Sequence, residues 1–265
     1  MPFDLKAGAL ALLAFTCIAV NAQVPRTAPD LRPTGKGFGV VDTRPQTDAR
    51  AAQRASGNGI TYHGGPLLTA GPNVYYIWYG NWSGNSATTI LTNFIESEGG
   101  SPYFNINSTY YNSSSIPVTN KVTYKGSTTD NYSHGTALSD AGVQAVVSRA
   151  ITSGALPKDT GAVYFVLTSS DVNETSGFCT QYCGWHTSGS IGGSDIKFAF
   201  VGNPARCLSA CAAQSTSPNN NAGADGMVSI VAHELEEATT DPDLNAWYDS
   251  RGEENADKCA WTFGT

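Results

Sequence analysis

The sequence predicts an α/β or α+β domain in which a mixed sheet packs on helices. Short apolar runs of strand length alternate along the chain with segments whose apolar residues recur at helical spacing. Roughly 200 residues follow Thr61, enough for one domain with a real core. No internal repeat divides that length.

Each element has its own signal. Residues 74–79, Val-Tyr-Tyr-Ile-Trp-Tyr, are aromatic and β-branched throughout and read as a strand buried on both faces, not an exposed sugar-stacking surface. Residues 86–98 carry Ile90, Leu91, Phe94 and Ile95 on one helical stripe. Residues 101–115 are polar and rich in Asn and Tyr, and are expected to be irregular, whereas residues 117–124 are expected to form a strand. Ser139 is placed to cap a helix with apolar face Val143, Val146, Val147, Ala150 and Ile151, which Gly154 stops. Residues 162–167 and 196–201 are short apolar strands. Asp225 is expected to cap a helix from Gly226 to about Thr240, ended by Pro242.

Both flanks of this domain differ from it. Residues 1–22 have the form of a signal peptide, with Lys6 before an apolar core at 7–20 and the small-residue site Val20-Asn-Ala22. The apolar run is short for a membrane span, so the mature chain is expected to be exported and free of the membrane. Residues 23–60 hold Pro25, Pro29, Pro33 and Pro45, five arginines and few large apolar side chains. Such a segment buries too little surface to offset its ordering entropy, and a disordered linker or propeptide is expected. The domain is thus residues 61–265. Its abrupt end and its odd cysteine suggest a C-terminal truncation, with a free Cys259 as the alternative.

Charge narrows the function. The chain carries a formal net charge of −7, and ten of its acids lie between Asp225 and Asp257. Phosphate backbones want the opposite sign, so nucleic acid is excluded as a partner. A dense acidic block needs full solvation or a cation. Cys179, Cys183, Cys207, Cys211 and Cys259 follow the signal segment, and export places them where disulfides persist. The two C-x3-C pairs can close locally or cross-link to each other, and spacing does not choose between these. Sequons at Asn81, Asn107, Asn112, Asn131 and Asn173 fit an exported glycoprotein.

The chemistry concentrates at His233-Glu-Leu-Glu-Glu237. Positions i and i+4 of a helix share a face, so His233 and Glu237 present two metal ligands together. This is the zinc-peptidase HExxH pattern with glutamate in place of the second histidine. On a helical wheel Glu234 falls at about 100° from His233, inside the apolar sector, while Glu236 alone points well away. Glu236, Glu237 and Asp241 also crowd the negative end of the helix dipole, a conflict that a bound cation resolves. Zinc normally takes three protein ligands at a catalytic site. Glu254 is the expected third, with Asp257 supporting it, and Asp243 is the rival. Glu234 is then the general base toward a water. The plain alternative for HExxE is an exposed acidic helix. Calcium is the competing ion, because Asp241-Pro-Asp243-Leu-Asn245 offers oxygens at alternating positions. His186 is expected to be structural, bonded to backbone, with a metal or substrate contact as the alternative. His63 and His134 sit by turn glycines.

Several ordered blocks carry a family resemblance. Tyr62-His-Gly-Gly-Pro-Leu-Leu68, Tyr76-Ile-Trp-Tyr-Gly80, Phe178-Cys-x3-Cys-Gly-Trp-His186, Val201-Gly-Asn203, Asp225-Gly-Met227 and the stretch 241–248 resemble the EXORDIUM / phosphate-induced protein family. The resemblance implies a secreted, extracellular or cell-wall protein linked to growth, and no established reaction. The overall expectation is a single zincin-like domain that binds zinc through His233, Glu237 and Glu254 and hydrolyses a protein or cell-wall substrate, as a metallopeptidase. The other expectation is a non-catalytic extracellular growth protein with at most a structural metal. Substrate, disulfide pairing and oligomeric state are left open by the sequence.

Overall fold

The computed structural model describes residues 31–36, 58–214 and 216–262. The expected signal peptide lies outside these residues, as do 23–30 and 37–57 of the expected linker. In chain order the elements are β1 (Thr61–Tyr62), β2 (Asn73–Tyr79), α1 (Ala87–Glu98), β3 (Thr123–Asp130), β4 (Ala137–Leu138), α2 (Asp140–Thr152), β5 (Ala162–Thr168), β6 (Asn173–Glu174), β7 (Gly184–Ile191), β8 (Ser194–Gly202), α3 (Leu208–Cys211), α4 (Ala222–Thr240) and β9 (Trp247–Tyr248).

Five strands form the central sheet in the order β3-β2-β5-β8-β7. The first four are mutually parallel, and β7 closes one edge antiparallel to β8. The sheet is therefore mixed, as expected. Period-two alternation along β2 sends Val74, Tyr76 and Trp78 to one face, where they pack with Leu91 and Ile95 of α1 and Met227, Ile230 and Leu235 of α4. Tyr75, Ile77 and Tyr79 face the other side and meet Val143, Val146 and Val147 of α2. Helices cover both faces, which is why β2 and β5 read as unbroken apolar runs.

Two expectations are corrected. The third strand is Thr123–Asp130, not 117–124. It lies at the sheet edge, with side chains alternately exposed, so its polar sequence, Thr-Tyr-Lys-Gly-Ser-Thr-Thr-Asp, carries little apolar signal. The last long helix begins a turn before Gly226. Asn221 caps it, accepting from the Ala224 amide at 3.1 Å, while Asp225 bonds the Ser217 hydroxyl and the Asn219 side chain. Its glycines fit because the first turn presses on the Asn203-Pro204 bend: a Cβ on Gly223 would lie 2.2 Å from Asn203 Oδ1. Part of the expected linker lies among the described residues. Residues 31–36 dock on the domain. The Leu31 amide donates to the Ser250 carbonyl at 3.1 Å, and the His186 amide donates to the Gly35 carbonyl at 3.0 Å. Lys36 Nζ bonds Asp140 at 2.7 Å and lies 4.9 Å from the Tyr182 ring centroid. This strap stays in place through backbone bonds and one anchored cation, so it needs little apolar surface of its own.

The cysteines cross-link the two C-x3-C motifs in register, Cys179–Cys207 and Cys183–Cys211. The loop before β7 is thereby tied to α3, just ahead of α4. Cys259 is exposed and free. Of the sequons, Asn107 is fully buried and its side chain accepts from Asn255 Nδ2 at 3.1 Å, a setting that excludes a glycan on the folded protein. Among the described residues no helix is long and apolar enough to cross a membrane.

Candidate metal centre

Three elements meet at the C-terminal half of α4. The helix supplies His233, Glu234 and Glu237 from its buried side. The edge strand β7 supplies His186, brought close because Gly184 has no side chain: a Cβ there would lie 2.4 Å from Ile230 Cγ2 and 3.1 Å from Glu234 Oε1. The segment after β9, with a short 3-10 turn at Ala256–Cys259, supplies Glu254 and Asp257. That segment is stitched to the helix by the Asp257 amide, which donates to Glu237 Oε1 at 3.1 Å. The Glu254 amide in turn donates to Asp257 Oδ2 at 3.1 Å. All six side chains are buried.

Two ligand sets share Glu237. In the first, His233 Nε2 stands 2.9 Å from Glu237 Oε1 and 3.6 Å from Asp257 Oδ1. In the second, His186 Nδ1 is 3.6 Å from Glu237 Oε2, and His186 Nε2 is 3.5 Å from Glu254 Oε1. Glu234 Oε2 also faces His186 Nδ1, at 3.4 Å. Ligand atoms held tetrahedrally at zinc-bond length stand about 3.3 Å apart. The separations in the first set, both measured from His233 Nε2, bracket that edge, so those residues fit such an ion, whereas the two distances in the second set run to opposite nitrogens of one imidazole.

The electrostatics point the same way. Glu234 Oε1 and Glu254 Oε1 are buried and accept no hydrogen bond among the described residues. Their side chains face His186, and burial pushes that imidazole down to about 3, so it is neutral at physiological pH. The nearby cations are engaged elsewhere, Lys197 with Asp195 and Asp243, and Lys258 with Asp249 and Glu253. Burial, reinforced by Glu237 and Asp257, raises Glu234 well above the usual carboxylate range. Burial and the neighbouring Glu237 do the same to Glu254. A buried carboxylate without a partner is costly, so these groups hold either protons or a cation.

The structure brings His233, Glu234, Glu237, Glu254 and Asp257 near one another, but it sets Asp257, not the expected Glu254, with His233 and Glu237, and sets Glu254 with His186. It leaves Asp243 out, in an ion pair with Lys197 at 2.9 Å. The alternating oxygens at 241–245 do not converge as a calcium loop either. Asp241 Oδ1 accepts from the Asn245 and Ala246 amides, both at 2.6 Å, and so shapes the turn itself. Glu236 does not point into solvent. It turns away from the sheet but is 4% exposed beneath the segment around Tyr103, and burial raises its pKa to about 8. His186, expected to be structural and bonded to backbone, does lie 3.4 Å through Nε2 from the Asp241 carbonyl oxygen, but its place among the cluster's acids escaped spacing because β7 is a weakly apolar edge strand. The signal for it was the C-x3-C motif, which fixes the histidine three residues past Cys183 beside the helix that follows Cys211.

A cavity of about 290 Å³ reaches the cluster from the His233 side, lined also by Tyr103, Tyr110, Glu236, Lys258 and Trp261. A second hollow of about 430 Å³ opens between α3 and the first turn of α4, and its one acid, Asp225, is already bonded to Ser217 and Asn219.

An α/β domain with a buried histidine–carboxylate cluster is the class these observations define. The family model described as the Phosphate-induced protein 1 conserved region matches residues 60–265, and the chain belongs to that family. It is 34% identical over 237 residues to the Arabidopsis thaliana protein EXORDIUM-like 3, covering 78% of this chain and 70% of that one. EXORDIUM-like 5 from the same plant is 34% identical over 216 residues, covering 71% of this chain and 59% of that protein. PHOSPHATE-INDUCED 1 of Nicotiana tabacum is 31% identical over 226 residues, covering 74% and 69%. No solved structure matches the chain.

Proposed function

We propose that this chain is an extracellular metal-binding member of its family whose α4 cluster is a zinc-dependent hydrolytic site, acting on peptide bonds. The observation that carries the reading is the convergence of His233, Glu237 and Asp257 at zinc-like spacing, next to a cavity. Two imidazoles in the cluster favour zinc over calcium, which prefers an all-oxygen shell. The paired disulfides and the plant relatives support an extracellular setting. Zinc supplies Lewis acidity at such a site. The chain's own groups do the rest. His233, Glu237 and Asp257 hold the ion, with Glu254 beside them, and Glu234 is the base. Substrate enters through the cavity lined by Tyr103 and Tyr110.

One observation favours a second reading. Glu234 is fully buried and faces Gly184 and His186 rather than the cavity, which suits a structural metal in a non-catalytic wall-associated protein. Elemental analysis combined with hydrolysis of a mixed peptide library separates the two. The hydrolase reading expects bound zinc in wild type and Glu234→Gln, with cleavage falling by about 100-fold or more in the variant. Full zinc with no cleavage by wild type supports the structural role, and a zinc-free wild type overturns both.

A further inference from the structure

We propose that the cluster is built for two divalent ions bridged by the Glu237 carboxylate, one held by His233 and Asp257, the other by His186 and Glu254. The proposal rests on the metal reading above and extends it to a second ion.

Glu237 points its two oxygens at different histidines. Oε1 lies 2.9 Å from His233 Nε2, and Oε2 lies 3.6 Å from His186 Nδ1. A single carboxylate between two imidazoles is the geometry of a bridge, and bridged pairs of ions sit about 3.5–4 Å apart. Each side then has the same composition: one imidazole, one Glu237 oxygen and one further carboxylate. The two histidines come from different elements, α4 and the edge strand β7, so the repetition does not arise from one helix carrying acids along a face.

The second observation is independent of the bridge. Glu254 is 1% exposed, and its Oε1 accepts no hydrogen bond among the described residues although it lies 3.5 Å from His186 Nε2. It is aimed into the cluster with nothing to satisfy it. Glu234 Oε1 is in the same position. One divalent ion balances two carboxylates, and His233, Glu237 and Asp257 already claim that ion. Glu234 and Glu254 then remain as two buried acids around a neutral imidazole. One His186 nitrogen, one Glu237 oxygen and one Glu254 oxygen lie within 4.8 Å of one another, so a second ion among them satisfies Glu254 directly. The alternative is two protons in place of the second ion, and metal stoichiometry distinguishes these.

The test uses the full chain produced with its disulfides intact, reconstituted with zinc and, separately, with cobalt(II). Wild type should hold two equivalents of metal. His186→Ala and Glu254→Gln should each hold about one, and so should His233→Ala. In the cobalt form of wild type, magnetic measurements should show two ions coupled through the bridge, a readout that needs no variant. One equivalent in wild type, unchanged in Glu254→Gln and magnetically uncoupled, overturns the second ion while leaving the first intact. No metal in a folded wild type overturns both. Circular dichroism confirms that each variant is folded before its metal is counted, and the cobalt coupling decides the matter if His186→Ala does not fold.

Discussion

Glu98 sits at the end of α1 with 5% of its surface exposed, and its Oε1 accepts no hydrogen bond among the described residues. Burial raises its pKa to about 7, above the ordinary 4.5. A raised carboxyl favours the fold below pH 4.5, and that contribution is lost as pH rises through 7. Glu98→Gln should therefore leave stability near pH 4 almost unchanged. It should raise stability at pH 8 by about 2 kcal/mol, allowing for partial solvation. Denaturant titrations of both proteins at the two pH values check this, and equal stability at pH 8 would show that Glu98 is solvated. Gly184 makes the opposite case. A methyl there meets Ile230 Cγ2 at 2.4 Å and the Phe200 carbonyl at 3.0 Å. Gly184→Ala should push α4 off β7, cost about 1–3 kcal/mol in thermal or denaturant unfolding, and weaken metal binding. Neither residue is conspicuous in the sequence, because what each does depends on a neighbour far along the chain.

At the scale of elements, the disulfides decide where the edge strand goes. Both crosslinks join cysteines 28 positions apart and fix the start of β7 beside α3. Removing the buried pair with Cys183→Ala and Cys211→Ala should cost about 3 kcal/mol. It should also raise hydrogen exchange in β7, and an unchanged exchange rate there would mean that sheet pairing alone places His186. The same elements show what a sequence discloses. The doubly buried β2 and β5 are legible because residues 74–79 and 162–167 are apolar or aromatic throughout, and α1 and α2 because their stripes keep helical period. β3 and β7 are edge strands. β3 alternates exposed with partly buried side chains and β7 is polar and glycine-bearing over 187–190, so composition reads as loop, and only pairing with β2 and β8 makes them strands. The strap at 31–36 was illegible for a related reason: backbone bonds to His186 and Ser250 hold it, and backbone bonds leave no compositional trace.

At the scale of the whole molecule, the cluster joins the sheet edge, the longest helix and the C-terminal segment, so its occupancy bears on the stability of all three. His233, Glu234 and Glu237 were readable because a helix fixes their spacing, and Glu254 and Asp257 because acids recur after it. The share taken by His186 was not, since a contact between residues 48 positions apart leaves no spacing rule. A cation that binds only the folded chain stabilises it by about 2.7 kcal/mol at a free concentration one hundred times its Kd. For a domain of this size each kcal/mol moves Tm by about 2–4 °C, so one ion is worth roughly 5–10 °C. A chelator added to zinc-loaded wild type should lower Tm by at least that much, and readdition of zinc should restore it. His233→Ala, lacking one ligand set, should lose less on chelation, and His186→Ala combined with His233→Ala should not respond at all. The acids would then be held neutral by protons, and the double variant should be most stable in mild acid and weaken as pH rises. A wild-type protein whose Tm ignores both chelator and zinc, yet falls with rising pH in the same way, would show that protons alone keep these carboxyls buried.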